Sequence, residues 1–171
     1  VKRGFLFAAL KGLKADGHRF LEDAVNRGAE VLLLEEERTF PHATQVIVKD
    51  TRIALARVSG NFYGLPSAKV KLIGVTGTNG KTTITYLLEA ILKRARQPVG
   101  VIGTINYRYG ETVLPAPNTT PESLELQRIL KEMVDQGISH VIMEVSSHGL
   151  DLERGAGGQF DGAIFTNLTR D

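Results

Sequence analysis

The sequence predicts an α/β fold in which a small N-terminal α/β domain is followed by a larger domain built on a P-loop-type parallel sheet. Two observations predict it. From residue 70 onward, apolar segments of strand length alternate with amphipathic segments of helix length, which is typical of a parallel sheet covered by helices on both faces. A glycine-rich loop at 74–80 also joins an apolar strand directly to a helix.

Residues 1–67 form the first predicted domain. Its expected elements are strands at 5–10, 31–34 and 46–48 and helices at 20–27 and 51–62. Gly28 is the expected C-terminal cap of the first helix. The segment 63–67 contains Gly64 and Pro66 and breaks the pattern, so we expect the domain boundary there.

The second predicted domain, 68–171, repeats strand–helix units. Its expected elements are strands at 70–76, 99–105, 141–145 and 163–166 and helices at 82–96 and 121–136. The apolar side chains that we expect to face inward from the two helices are Ile84, Leu87, Leu88, Ile91, Leu92, Leu124, Ile129, Leu130, Met133 and Val134. The last of these strands is expected to leave one edge of the sheet exposed.

Composition excludes several classes of protein. The chain has 171 residues and a net charge of +2, with no basic run that would indicate nucleic-acid binding. No apolar segment approaches the ~20 residues that span a membrane. Cysteine is absent, which rules out disulfides and thiolate metal sites. We therefore expect a soluble, unprocessed chain that binds neither nucleic acid nor membranes, and the absence of cysteine fits the cytoplasm. We also expect a monomer.

The loop between the strand at 70–76 and the following helix predicts a polyphosphate site. Glycines let backbone N–H groups approach phosphate oxygens, the helix N-terminus favours an anion, and Lys81 adds a full positive charge. The Thr82 hydroxyl is placed to bind the Mg²⁺ that accompanies ATP. The loop is two residues shorter than an ordinary Walker A loop, because Val75 stands where that pattern has its first glycine. The predicted nucleotide-binding residues are Gly77, Thr78, Asn79, Gly80, Lys81, Thr82 and Thr83.

Glu144 ends a buried strand at the sheet edge where a phosphate loop also lies in open α/β sheets. A buried carboxylate is costly unless a cation or hydrogen-bond donors satisfy it. We favour a Mg²⁺ ligand over a salt-bridged glutamate at a strand end. The strand is followed by Ser146, Ser147 and His148. Because the sequence has no Gly-x-Ser-x-Gly nucleophile elbow, we interpret these residues as polar groups that line a ligand crevice and not as the catalytic residues of a hydrolase.

The segment 118–122 precedes the second helix of this domain. Thr120 as N-cap, Pro121 at the first helical position and Glu122 near the helix dipole explain much of it. The two small polar residues before them, Asn118 and Thr119, also suit the binding of an anion or sugar at a helix N-terminus. Both interpretations stay open from this segment alone.

Four segments together resemble the Mur ligases, and among them the MurE type. They are Gly-Val-Thr-Gly-Thr-Asn-Gly-Lys-Thr-Thr at 74–83, Asn-Thr-Thr-Pro-Glu at 118–122, Met-Glu-Val-Ser-Ser-His at 143–148 and Phe-Thr-Asn-Leu-Thr-Arg-Asp at 165–171. The similarity extends to Gly-Phe-Leu-Phe-Ala at 4–8 and Lys-Ala-Asp-Gly-His at 14–18, and so covers essentially the whole chain.

This resemblance implies an ATP- and Mg²⁺-dependent ligase of peptidoglycan synthesis. ATP phosphorylates the free carboxylate of UDP-N-acetylmuramoyl-L-alanyl-D-glutamate, and a diamino acid, L-lysine or meso-diaminopimelate, attacks the acyl phosphate. Matched by position, Lys81 and Glu144 are catalytic and Thr82 and Glu144 bind the metal. The matched substrate contacts are Leu13, Lys14 and Ala15 on the uridine side and Asn118, Thr119, Thr120, Ser146 and Arg154 on the muramoyl-peptide side.

Three departures from the family pattern concern what the resemblance implies. The family has an Asp-Ser-Arg segment for the uracil end just before the position where this sequence starts, so the resemblance implies that the UDP-substrate-binding domain at 1–67 is partial. Leu152 stands where the family often has a glutamine that holds the substrate. The family's metal-binding histidine, its carbamoylated lysine and its C-terminal domain would lie beyond Asp171. The resemblance therefore implies that the ATP-binding domain at 68–171 is truncated, and we expect no turnover from this chain alone. Alternatives are a nucleotide- or UDP-sugar-binding module without turnover and a ligase similar to folylpolyglutamate synthetase.

Overall fold

The computed structural model describes residues 1–12, 15–40 and 42–169. They divide into two compact units, Val1–Leu55 and the residues from Ala56 onward. This division falls inside the helix Thr51–Phe62, and the predicted domain boundary at residue 67 stays a prediction.

The first unit contains a three-stranded parallel sheet. Its elements are β1 (Phe5–Ala8), a 3-10 turn (Gly17–Phe20), α1 (Leu21–Asn26), β2 (Ala29–Leu34), β3 (Thr44–Ile47) and the start of α2 (Thr51–Phe62). The predicted helix at 20–27 is therefore shorter, because its first turn is 3-10 and capped by the Asp16 side chain. Gly28 follows that helix with a φ of +96°, a conformation that favours glycine.

The second unit contains a six-stranded mixed sheet in the order β7-β6-β5-β8-β4-β9. Its remaining elements are a 3-10 turn (Pro66–Lys69), β4 (Lys71–Thr76), α3 (Lys81–Arg94), β5 (Val99–Ile102), β6 (Asn106–Tyr109), β7 (Thr112–Pro115), α4 (Ser123–Asp135), β8 (His140–Glu144), α5 (Ser147–Asp151) and β9 (Gly162–Phe165). Strands β5, β8, β4 and β9 are parallel, so their carboxyl ends share one edge of the sheet.

Helices cover both faces of this sheet, as the near-continuous apolar strands predicted. On one face, α4 packs Leu126, Ile129, Leu130 and Met133 into a core with strand residues such as Leu72. On the other, α3 packs against Val75, Val99, Val101 and Ile142. Because side chains alternate along a strand, Glu144 lies on the α3 face, two residues after Ile142.

Three expectations about this unit were wrong. The strand at 99–105 ends at Ile102, and the chain turns back into the antiparallel hairpin β6–β7, which the sequence analysis missed. Helix α4 begins at Ser123 with Glu122 as N-cap, because the Thr120 hydroxyl is engaged elsewhere. Three side chains that the periodicity places inside are instead largely exposed, namely Leu87, Ile91 and Leu124.

Candidate functional site

The phosphate loop leaves β4 at Thr76 and enters α3 at Lys81. Gly77 and Gly80 both have positive φ, +123° and +86°, so the loop needs glycine at these positions. The Lys81 ammonium donates to the carbonyl oxygens of Gly77 at 2.7 Å and Thr78 at 3.0 Å. The lysine therefore lies over the loop, and the N-terminus of α3, which favours an anion, begins at the same residue.

A segment after β9, residues 166–169, holds this loop; we call it the clasp. The Asn79 N–H donates to Asn167 Oδ1 at 3.1 Å, and the Thr78 N–H donates to the Asn167 carbonyl at 2.9 Å. The Thr166 hydroxyl donates to the Asn79 carbonyl at 2.7 Å. This segment belongs to the sequence motif at 165–171, for which the sequence alone predicts no role.

Glu144 lies at the carboxyl end of β8, where its side chain is buried with the residue 1% exposed. The Thr82 hydroxyl donates to its Oε2 at 2.9 Å. Thr104, which follows β5, donates to Oε2 from its hydroxyl at 3.0 Å and to Oε1 from its N–H at 3.2 Å. The structure thus brings the two predicted metal-binding residues together and adds Thr104, which the sequence analysis missed.

These oxygen atoms fit Mg²⁺. Every donor that the described residues bring to the Glu144 carboxylate is neutral, so its charge is buried without a compensating cation from this part of the chain. Mg²⁺ prefers oxygen ligands and typically takes one or two carboxylates plus phosphate and water oxygens. Within the described ranges no group of three His, Cys, Asp or Glu side chains could hold a metal by itself. Glu144 and Thr82 would therefore hold Mg²⁺ together with a bound phosphate.

The segment 118–120 lies against the end of β8. The Thr120 side chain is buried; its hydroxyl donates to the Glu144 carbonyl at 3.0 Å and accepts from the Ser146 N–H at 3.0 Å. Thr119 approaches Thr104, with 3.1 Å between their hydroxyl oxygens. Asn118 is exposed and its carbonyl accepts from the Tyr107 hydroxyl. Thr120 thus ties this segment to the sheet edge instead of capping α4.

Arg154 and Ser146 complete this side of the site. The Arg154 guanidinium donates to the Thr120 carbonyl at 3.1 Å and its Nε lies 2.9 Å from Glu122 Oε1. The Ser146 hydroxyl accepts from the Gly149 N–H at 3.0 Å and so caps the short helix α5. Leu152 is half-buried and its apolar side chain cannot replace the polar contact of a glutamine.

A cleft of about 370 Å³ lies between the phosphate loop and the start of α5. It is lined by Thr76, Gly77, Thr78, Lys81, Ser146, Ser147, Leu150, Phe165 and Leu168. Lys81 provides a positive charge at this cleft, and Ser146 and Ser147 provide hydroxyl groups. Thr83 is exposed on the first turn of α3, next to Thr82 in the chain. The arrangement can hold a polyphosphate with its metal and leave a second ligand beside it.

The predicted uridine-side residues belong to the first unit. Leu13 and Lys14 lie outside the described residues. Ala15 is exposed, and its carbonyl accepts from the Gly12 N–H at 2.9 Å. The Asp16 side chain that follows accepts from the His18 N–H at 3.0 Å.

The helices in the described part of the chain are all too short or too polar to cross a membrane.

Comparison with protein-family models gives matches to both parts of the chain. The family described as Mur ligase middle domain matches residues 75–171. The family described as Mur ligase family, catalytic domain, matches residues 1–63. The phosphate loop from Val75 onward, Glu144 and the clasp all fall within the first of these matches.

Curated proteins named UDP-N-acetylmuramoyl-L-alanyl-D-glutamate--2,6-diaminopimelate ligase are similar to the whole chain. The protein from Geobacter sulfurreducens is 52% identical over 100% of this chain, which covers 34% of that protein. The protein from Geobacillus thermodenitrificans is 48% identical, again over 100% of this chain and 35% of its own length. The chain therefore spans about a third of the length of these relatives.

Solved structures of ligases are also similar to the whole chain or nearly all of it. A structure of UDP-N-acetylmuramoyl-L-alanyl-D-glutamate--2,6-diaminopimelate ligase superposes with a TM-score of 0.85 at 30% identity, covering 100% of this chain and 35% of that one. The MurF ligase from Thermotoga maritima, solved in complex with ADP, has a TM-score of 0.61 at 24% identity, over 98% of this chain and 35% of that one. At that identity the second likeness shows a shared fold.

Proposed function

Because the chain belongs to the Mur ligase family, we propose that it is part of an ATP-dependent amide ligase of peptidoglycan precursor synthesis. The observation that carries this proposal is the meeting of Lys81, Thr82 and the buried Glu144 carboxylate at one edge of the parallel sheet. The proposed substrates are ATP, UDP-N-acetylmuramoyl-L-alanyl-D-glutamate and a diamino acid, which the named relatives support as diaminopimelate.

The proposed reaction has two steps. The free carboxylate of the UDP-linked substrate attacks the γ-phosphorus of ATP, so that ADP leaves and an acyl phosphate forms. The amine of the diamino acid then attacks the acyl carbon, phosphate leaves, a proton is released and an amide results. Both steps bring anions together, so charge neutralisation and alignment supply most of the catalysis.

We assign the nucleotide to the loop formed by Gly77, Thr78, Asn79 and Gly80, with Lys81 neutralising the phosphate charge. Thr82 and Glu144 would hold Mg²⁺, which would supply further positive charge for phosphoryl transfer. The short distance between Thr82 and Glu144, 2.9 Å from oxygen to oxygen, supports this assignment because both could reach one ion.

We assign the muramoyl peptide to Asn118, Thr119, Thr120, Ser146 and Arg154, of which Ser146 also lines the cleft. The buried Thr120 side chain fixes the segment that carries the first two. The uridine end is assigned to Leu13, Lys14 and Ala15 of an N-terminal domain at 1–67, ahead of an ATP-binding domain at 68–171. We further propose that the protein acts as a monomer in the cytoplasm, where ATP and UDP-linked precursors are available.

Replacing the loop lysine tests the nucleotide assignment. Lys81→Met removes the ammonium that lies over the loop, so we expect the Kd for Mg-ATP to rise by tenfold or more. The matched control is Lys131→Met on α4, whose ammonium pairs with Asp135 on the surface. Isothermal titration of both variants and the unmodified chain with Mg-ATP measures the difference. Equal affinities for the unmodified chain and Lys81→Met would contradict the proposal.

A second candidate is a nucleotide- or UDP-sugar-binding module without turnover, because the cleft beside the phosphate loop could hold a ligand whether or not a reaction follows. Measurement of ADP release distinguishes this candidate function from that of a ligase. Release that depends on both the UDP-linked dipeptide and diaminopimelate supports the ligase for this chain alone. Binding of Mg-ATP without such release supports the module. The folylpolyglutamate alternative receives no support from the named relatives.

A further inference from the structure

We propose that Thr104 is a positioning residue that couples the metal-binding carboxylate of Glu144 to Thr119 on the substrate side. This inference rests on the proposed function, because it assumes that Mg²⁺ accompanies a nucleotide at Glu144. Thr104 itself contacts neither phosphate nor metal in this assignment and acts through its two neighbours.

Thr104 holds the Glu144 carboxylate at both of its oxygen atoms. Thr104 follows β5, which lies beside β8 in the parallel sheet, so the residues after both strands meet at one edge. Its N–H reaches Oε1 at 3.2 Å and its hydroxyl reaches Oε2 at 3.0 Å. Binding both oxygens fixes the rotation of the carboxylate and hence the direction of its remaining lone pairs.

The neighbouring residue, Gly103, leaves room for the Glu144 carboxylate. A Cβ built on Gly103 would lie 2.4 Å from Glu144 Oε1 and 3.1 Å from its carboxyl carbon. Such a distance is a severe clash, so the carboxylate can lie against this stretch of backbone only because residue 103 is glycine. Gly103 thus provides the space for the carboxylate, and Thr104 provides its hydrogen bonds.

The hydrogen bonds of the Thr104 hydroxyl run in one direction, from Thr119 toward Glu144. A threonine hydroxyl has one proton, and Thr104 directs it to Glu144. The 3.1 Å contact between Thr104 and Thr119 then requires Thr119 to donate. The chain runs from Thr119 through Thr104 to Glu144, and each bond polarises the next. Thr104 is exposed and Thr119 half-buried, so the start of this chain is open to a ligand.

The consequence is an energetic link between the two ligand sites. Mg²⁺ would bind best to a Glu144 carboxylate in the orientation that Thr104 fixes, so the metal would in turn favour the conformation in which these hydrogen bonds form. A substrate group that donates to Thr119 would strengthen the same chain from the other end. A change at either end therefore alters binding at the other, and this effect is reciprocal.

The test uses the unmodified chain and two conservative variants, with a fluorescent ATP analogue titrated at increasing Mg²⁺. Thr104→Val keeps the shape and the N–H but removes the hydroxyl. We expect the Mg²⁺ concentration at half-maximal binding to rise about tenfold, the lower end of the effect of losing a partner of a metal ligand. Thr104→Ser retains the hydroxyl and should stay within about twofold of the unmodified chain. Nucleotide binding in EDTA should be the same for all three.

A double-mutant cycle with Thr119→Val tests the coupling. Thr119→Val alone should shift the Mg²⁺ requirement in the same direction by a smaller factor. The double variant should require no more Mg²⁺ than Thr104→Val, because the chain is already interrupted. Thr112→Val on β7 is the control for a threonine-to-valine change, and thermal unfolding of each variant separates misfolding from altered metal binding.

Three results overturn the inference. An unchanged Mg²⁺ requirement in folded Thr104→Val, or equal shifts in Thr104→Val and Thr104→Ser, excludes a role of the hydroxyl. Independent, multiplying shifts in the double variant exclude the coupling. A failure of the unmodified chain to bind the nucleotide with or without Mg²⁺ instead removes the proposed function itself, and the inference with it.

Discussion

Glu144 shows how a single buried charge can indicate a ligand. Burial of a carboxylate removes water from two oxygens that together accept about four hydrogen bonds. Three come from two threonines, Thr82 and Thr104, and none of these donors carries a charge. The free energy of burying this group is therefore offset only in part by the residues around it. A cation is the group that would offset the rest.

The sequence predicted the main residues of this site because they follow from sheet topology. Lys81 and Thr82 follow one parallel strand and Glu144 ends its neighbour, so their proximity required only the strand assignments. Thr104 could not be found in this way, since one threonine after a strand has no distinguishing pattern. Thr120 was misassigned for a related reason. Its neighbours Pro121 and Glu122 are typical of a helix start. Its hydroxyl instead forms hydrogen bonds with the end of β8, 24 residues further along the chain, and local sequence does not indicate such a distant partner.

Two glycines of the phosphate loop allow a matched prediction. Both have positive φ, but a Cβ on Gly77 would lie 2.2 Å from Thr166 Oγ1, whereas a Cβ on Gly80 meets nothing within 4 Å. Gly80→Ala should cost only backbone strain, about 1 kcal/mol. Gly77→Ala adds a clash with the clasp and should cost about 2–3 kcal/mol. Urea unfolding of both variants measures the difference; equal losses would mean that the clasp does not constrain Gly77.

At the level of elements, α3 shows why its apolar stripe was assigned wrongly. Successive residues are turned by about 100°, and Ile84, Leu88 and Leu92 do pack on the sheet. The buried face is nevertheless turned toward Thr85 and Glu89, leaving Leu87 58% and Ile91 63% exposed. Hydrophobic periodicity cannot predict this, because it counts Glu89 as a surface residue.

Burial of Glu89 is possible because β6, an element that the sequence analysis missed, supplies a cation. Arg108 donates from its Nε to both carboxylate oxygens, and its guanidinium lies 4.3 Å from the centre of the Tyr86 ring. Lys93 adds a second ion pair at 2.8 Å. Burial opposes the charged form, but hydrogen bonds from Arg108 and Lys93 still hold the pKa of Glu89 below its ordinary value.

This pairing predicts a pH-dependent loss of stability in Glu89→Gln. A carboxyl group whose pKa is lower in the folded state stabilises the fold above its unfolded pKa and ceases to do so as the pH falls through the folded value. At pH 7 the variant should lose about 2 kcal/mol, the contribution of hydrogen bonds to charged groups. The difference from the unmodified chain should shrink below about pH 4.

The control for this prediction is Glu111→Gln, in the exposed turn between β6 and β7. It should change the free energy of unfolding by no more than about 0.5 kcal/mol at either pH. Denaturant unfolding at pH 7 and pH 3.5 compares the two variants. A loss in Glu89→Gln that is equally large at both pH values would exclude the charge of Glu89 as its cause.

For the whole molecule, the fold class could be predicted because alternating apolar strands and helices leave few arrangements other than a parallel sheet with two covered faces. The antiparallel hairpin at its edge could not, since β6 follows β5 after only a short turn and reads as a continuation of it. Tyr107 and Tyr109, both buried and separated by Arg108, are the alternating pattern that would have identified it.

The two compact units should respond differently to nucleotide. Mg-ATP at one hundred times its Kd should raise the free energy of unfolding by about 2.7 kcal/mol in the unit that binds it. Hydrogen exchange of backbone amides should therefore slow in β4 and β8 and stay unchanged in β1 and β2. Slower exchange throughout, or only in β1 and β2, would contradict the assignment of the nucleotide to the second unit.

The clasp also bears on synthesis of the protein. Asn167 is 88 residues further along the chain than Asn79, which it holds. At translation rates of 5–20 residues per second, roughly 4–18 s pass between the synthesis of these two residues. A nascent chain released or stalled within that interval would carry the glycine turn without the amide and hydroxyl partners that fix it. We therefore expect ribosome-bound intermediates to gain affinity for ATP only after Thr169 has emerged from the exit tunnel.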